Sequence, residues 1–91
     1  MNALPRHRVC LKPAAERALK KVAGQTARRP IARAVDGLAG TPRPDGAVTI
    51  QGSDGLRRIR AGDYRVVYTL EHATRTVLVV TIGHRREVYR R

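Results

Sequence analysis

Hydrophobic and polar positions change period along this chain, from helical spacing in its first half to alternation in its second. Arg8 to Leu11 alternates around Val9 and Leu11, and Pro13, suited to a first helical turn, follows. The pattern predicts a short strand and then a helix from about Pro13 to Ala23. Ala15, Ala18, Leu19 and Val22 form its apolar stripe, and Gly24 stops it. Lys12, Arg17, Lys20 and Lys21 fall on its solvent side. A second helix is predicted over Ala27 to Ala39. There Ile31, Ala34, Val35 and Leu38 repeat at i, i+3, i+4 and i+7, and Gly40 ends the run. Pro30 is tolerable only within the first turn, so the helix should not begin much before Thr26. The short connection makes the two helices an antiparallel hairpin.

Thr41 to Gly46 reads as loop, with two prolines and a glycine; Val48 to Ile50 reads as a brief strand. Past the turn Gly52–Gly55, three strands are expected: Leu56 to Arg60, Tyr64 to Glu71, and Thr76 to Ile82. Ala61-Gly62-Asp63 joins the first two, and His72 to Arg75 the last two. The run TVLVVTI is apolar on both parities, as for a strand covered on both faces. The predicted architecture is α+β, in the order β-α-α-β-β-β. It is a small, mostly antiparallel sheet with an N-terminal helical hairpin packed on one face. All 91 residues, 1–91, form a single domain.

Parity then sorts the side chains. Tyr64, Val66, Tyr68 and Leu70 should face the helices, leaving Asp63, Arg65 and Val67 opposite. Ile59 is the core residue of the preceding strand, so Arg58 and Arg60 point away from the helices. Paired across the tight turn, Arg58, Arg60 and Arg65 share one open face.

Composition sharpens this picture. The formal net charge is +12, from 19 Lys+Arg against 7 Asp+Glu, and the basic residues run through both halves. Such a field favours polyanionic partners: nucleic acid, an acidic protein or an anionic surface. Phe and Trp are absent, so aliphatic residues and three tyrosines must fill the core. Cys10 is the single cysteine, which leaves no disulfide framework and no cysteine zinc cluster; it is expected as a buried strand residue. No run resembles a signal-peptide core or approaches the roughly 20 apolar residues of a membrane span, so a cytoplasmic location is expected. Neither a metal-ligand spacing nor a phosphate-loop pattern occurs, and no cofactor is expected.

Arginine carries its charge at any working pH and presents a planar fork of donors matched to phosphate oxygens. Three on one sheet face suit a bound phosphodiester. His84, Arg85, Arg86 and Tyr89 follow close by in sequence. Metal-free RNA cleavage needs a base for the ribose 2′-hydroxyl, an acid for the 5′-oxygen and cations for the phosphorane. His84, with an ordinary pKa of about 6.5, could be base or acid. Tyr89 would need arginines nearby to lose its proton near neutrality. By default, each of these has a plainer role: solvated arginines, a turn histidine and a rim tyrosine.

The run GSDGLRRIRAGDYRVVY followed by IGHRREVYRR resembles the RelE/ParE superfamily of bacterial toxins, on its RelE side, over nearly the whole chain. The resemblance implies a toxin of a type II toxin–antitoxin system that cuts mRNA in the ribosomal A site, against 16S rRNA. It also implies neutralisation in a heteromeric complex by an antitoxin whose C-terminal segment wraps it. By motif, Arg65, Arg85 and Tyr89 take catalytic positions, and Arg58 and Arg60 flank Ile59 as phosphate contacts. His84 and Arg86 lie beside these. Relatives carry lysines where this chain has Arg58 and Arg60, and the Arg85–Tyr89 segment is shorter here. An arginine cannot serve as a base, so Tyr89 and His84 both stand as candidates. A ParE-like toxin that inhibits DNA gyrase without RNA chemistry is the alternative from another class; a non-catalytic module for RNA or an acidic partner is the third.

Overall fold

Short runs with opposite periodicity fold here onto one shared apolar layer. The computed structural model describes residues 7–44, 46–53 and 55–84. Its elements are β1 (Arg8–Leu11), α1 (Pro13–Lys21), α2 (Gln25–Gly40), β2 (Val48–Thr49), β3 (Arg57–Ala61), β4 (Tyr64–Glu71) and β5 (Thr76–His84). The strands form one sheet in the order β1-β5-β4-β3-β2. β1 pairs parallel with β5, and every other pairing is antiparallel. The expected α+β architecture is therefore the one observed.

Both helices lay their apolar stripes on the same face of the sheet. Ala15 of α1 and Val22 just past its end, with Ile31, Val35 and Leu38 of α2, join Ile59, Val66, Tyr68, Val79 and Ile82 in one core cluster. α1 lies over β5 and β1, whereas α2 reaches from β1 to β3. Where α1 ends, the Arg28 guanidinium closes its last turn. Nε donates to the Val22 carbonyl at 2.9 Å, and Nη2 to that of Lys20 at 3.3 Å. These are carbonyls a helix end leaves without internal donors. The turn between the helices passes through Gly24 at φ 83°, a conformation that favours glycine.

Some boundaries differ from expectation. α2 starts at Gln25, so Pro30 sits in its second turn instead of its first. The amide that proline lacks would have served the Thr26 carbonyl; Thr26 is exposed, so water can serve it instead. The Pro30 ring also borders the β3–β4 turn, where a methyl group at Gly62 would come within 3.8 Å of it. Cys10, expected to be buried, is half-buried on the outermost strand. β5 extends two residues beyond Ile82, to His84.

Two features position the rest. First, β5 carries a bulge. Val67 pairs with Thr81 but Tyr68 with Val79, so Val80 is an extra residue and side-chain parity reverses across it. Second, Tyr68 is fully buried, and its hydroxyl donates to the Pro42 carbonyl at 2.8 Å. That bond anchors the α2–β2 loop to the sheet. Burial raises the Tyr68 phenol above its ordinary pKa of 10.0, and the nearby Arg57 and Arg43 charges pull it back only partly. Among the described residues, no helix is long and apolar enough to cross a membrane.

Replacing Tyr68 with Phe should cost about 1–2 kcal/mol in urea unfolding, because the Pro42 carbonyl loses its donor. The pH dependence has a definite sign. The unfolded phenol ionises near 10.0 and the folded one only above that, so the tyrosine's contribution is whole below pH 10.0 and declines as pH rises past it. The Phe variant should therefore lose stability less steeply in alkali than the parent chain.

Candidate functional site: an arginine cluster on the sheet

β3 and β4 are joined by the two residues Gly62 and Asp63, with Gly62 at φ 64°. This turn sets the register: Ala61 opposite Tyr64, Arg60 opposite Arg65, Ile59 opposite Val66 and Arg58 opposite Val67. Ile59 and Val66 belong to the core, so Arg58, Arg60, Arg65 and Val67 lie on the other face. The three arginines, with Gly46 and Val48, line a pocket of about 290 Å³.

The face is less open than parity alone suggests. Arg65 is only 9% exposed and Val67 4%, while Arg58 is half-buried and Arg60 exposed. The segment 46–48 walls one side, and Val48, at 46% exposure, stands out as a large apolar side chain in solvent. Composition marked this stretch only as a loop running into a brief strand; nothing in TPRPDG signalled that it would border a pocket. The arrangement grades from a buried guanidinium at the floor to a solvated one at the lip. Charge held away from water acts on a bound anion with less screening than charge in solvent.

Arg60 and Arg65 are also direct cross-strand neighbours. Like charges in that position destabilise an antiparallel pair. A sheet that places them there gives up local stability for a surface that accepts negative charge, a conflict of the kind found at functional sites.

The other sequence candidates are placed differently. Because of the bulge at Val80, His84 pairs with Tyr64 on the helix side of the sheet. The two rings meet edge to face, with centroids 5.6 Å apart and planes at 76°. His84 is thus separated from the arginine pocket by the sheet itself. Arg85, Arg86 and Tyr89 lie outside the described residues. Among the described residues, no three His, Cys, Asp or Glu side chains gather as a metal site would require.

Comparison with known proteins gives the chain a family. The model of the ParE toxin of type II toxin–antitoxin systems matches residues 9–89. The chain belongs to this toxin family, within the RelE/ParE superfamily. Several solved structures similar to the toxin are of RelE proteins. Over 87% of this chain and 94% of the other, it matches the archaeal RelE–RelB complex of Pyrococcus horikoshii at 24% identity and TM-score 0.74. The RelBE2 toxin–antitoxin complex of Mycobacterium tuberculosis matches at 20% identity and TM-score 0.76, over 92% and 97%. The isolated Escherichia coli RelE toxin matches at 20% and 0.73, over 86% and 83%. At these identities the likeness is one of fold. A comparison with curated proteins finds no match.

Replacing Arg60 with Thr should remove the cross-strand repulsion and raise stability by about 0.2–1 kcal/mol at low ionic strength, with the gain shrinking in salt. In parallel, sulfate should raise the melting temperature of the unmodified toxin more than chloride of equal ionic strength does. The Arg60→Thr variant should lose most of that difference. Thermal unfolding in the two salts checks both.

Proposed function

We propose that this toxin is a ribosome-dependent endoribonuclease that cleaves mRNA in the A site and so arrests translation. The observation that carries the reading is the convergence of Arg58, Arg60 and Arg65 on one pocket, with Arg65 at its floor. In this reading Arg58 and Arg60 hold the scissile phosphate. Arg65 meets the charge that develops on the phosphorane, where a fixed donor favours the transition state over the ground state. The ribose 2′-hydroxyl attacks the adjacent phosphorus and the P–O5′ bond breaks; water protonates the departing 5′-oxygen, so a 2′,3′-cyclic phosphate and a 5′-hydroxyl end result.

Arginines cannot take the 2′-hydroxyl proton. Since His84 stands across the sheet, the reading gives that proton to Tyr89, activated by surrounding positive charge. Arg85 joins the phosphate contacts, and Arg86 flanks the RNA. Ribosomal dependence suits a site with this division of labour, because mRNA and 16S rRNA would hold the substrate against fixed arginines. The work takes place in the cytoplasm, and an antitoxin neutralises the toxin in a heteromeric complex. The similar Pyrococcus and Mycobacterium proteins were solved as such complexes. An acidic, amphipathic antitoxin segment would complement the +12 charge of this chain.

A second reading has its own support. The matching family model is that of ParE, and His84 is not at the arginine pocket. Under that reading the toxin binds and inhibits DNA gyrase without RNA chemistry.

Primer extension on a reporter mRNA in a bacterial translation extract separates the two. The endonuclease reading expects new, codon-phased ends that require ribosomes. Arg65→Ala should lower cleavage by about 10²–10³-fold, as for loss of one oxyanion donor. Because Arg65 is buried, Arg58→Ala serves as the milder companion. Tyr89→Phe should abolish cleavage while leaving the melting temperature unchanged. Folded toxin that arrests growth, leaves mRNA intact and blocks gyrase supercoiling would establish the second reading instead.

A further inference from the structure

The His84 position has a consequence on the helix side. Arg17 and Lys21, one turn apart on α1, line a groove of about 490 Å³ together with Ala18, Tyr64, Gly83 and His84. Both cations are exposed, and the two rings are half-buried. Tyr64 adjoins Arg65 on β4, and Gly83, which pairs with Arg65, precedes His84 on β5. The groove and the arginine pocket are therefore placed back to back across one thickness of sheet.

We propose that this groove is a second RNA-binding site. It takes a single-stranded segment whose phosphates meet Arg17 and Lys21 and whose base lies against the Tyr64–His84 pair. The identity of the ligand rests on the nuclease reading above. Side chains four apart on a helix have Cβ atoms roughly 5–6 Å apart, so each cation can take its own phosphate. Aromatic rings beside a positive groove are how single strands are held without sequence reading, because every base has a flat face to stack. Lys20, Arg28 and Arg29, around the neighbouring cleft between α1 and α2, continue the positive surface.

An acidic protein segment fits this groove less well. The large aliphatic side chains lining it, Val22 and Ile82, are each 3% exposed and already spent in the core. An amphipathic helix would find little apolar area to bury there. Charge and stacking are what the groove offers, and RNA uses both.

The test is fluorescence anisotropy of the full chain with a single-stranded 2′-O-methyl RNA of about 12 nucleotides, across a potassium chloride series. This probe lacks the nucleophilic hydroxyl, so binding is read whether or not the toxin cleaves RNA. The Arg17→Ala/Lys21→Ala variant should bind about tenfold more weakly. Its log–log salt slope should be smaller by roughly 1.4, near 0.7 for each lost phosphate contact on a single strand. His84→Ala should weaken binding with little change of slope. A Lys12→Ala/Arg33→Ala control removes the same charge elsewhere and should leave the slope nearly unchanged. Equal losses in control and groove variants, or unchanged binding in a folded groove variant, would overturn the site. So would an acidic helical peptide that shifts the His84 ring resonances when RNA does not. A failure of the nuclease reading would appear separately, as intact mRNA in the translation extract with this binding unaffected.

Discussion

One extra residue in one strand decides which groups can act together. Val77 and Val79 face the core, and strict alternation from them would bring Thr81 and Gly83 inward and send Ile82 and His84 to the arginine face. The bulge at Val80 reverses this. It returns Ile82 to the core at 3% exposure, where its side chain has apolar neighbours, and carries His84 to the helix side with it. Burying an isoleucine is worth about 1.5–3 kcal/mol relative to exposing it, so the hydrophobic term holds the bulge in place. The placement of the histidine follows from that packing preference, and the separation of the two basic surfaces follows from the placement of the histidine.

On the opposite face, the cluster depends on a register that the core and the turn both enforce. A one-residue slip of β3 against β4 would bring Arg58 and Arg60 inward and Ile59 out. Ile59, Ala61 and Val66 forbid that, and so does the short Gly62–Asp63 connection. The repulsion between Arg60 and Arg65 is thus outweighed, not avoided. The wall of the pocket depends on Tyr68 as well, since its hydroxyl holds Pro42, and Pro42 begins the loop that brings Gly46 and Val48 to the arginines. The core is therefore joined to the site twice, once through strand register and once through a single buried hydroxyl.

These links account for what could be read in advance. β3 and β4 alternate cleanly, so their parity, their register and the shared face of Arg58, Arg60 and Arg65 were legible from the residues alone. β5 was not legible in the same way. TVLVVTI is apolar on both parities, so no alternation reports the side on which His84 falls. The second-turn position of Pro30 was missed for a different reason: local helix rules weigh the lost amide, whereas the exposed Thr26 carbonyl can turn to water and α2 starts at Gln25 all the same. Likewise, the wall that Gly46 and Val48 give the Arg65 pocket joins segments far apart in sequence, which no local pattern reports.

The arginine composition of the cluster constrains any chemistry done there. A lysine in such a pocket could be driven to lose its proton and share the roles of base and charge; guanidinium groups keep their charge at every working pH. The cluster can therefore bind and stabilise but cannot transfer a proton, so its contribution should be flat across the physiological range. Any pH dependence of the toxin's activity must enter through a group outside Arg58, Arg60 and Arg65. That separation of fixed charge from proton transfer is compatible with a nuclease that relies on the ribosome for alignment, and equally with a binding toxin that needs no proton transfer. For this reason product ends on mRNA discriminate between the two where binding of a polyanion does not.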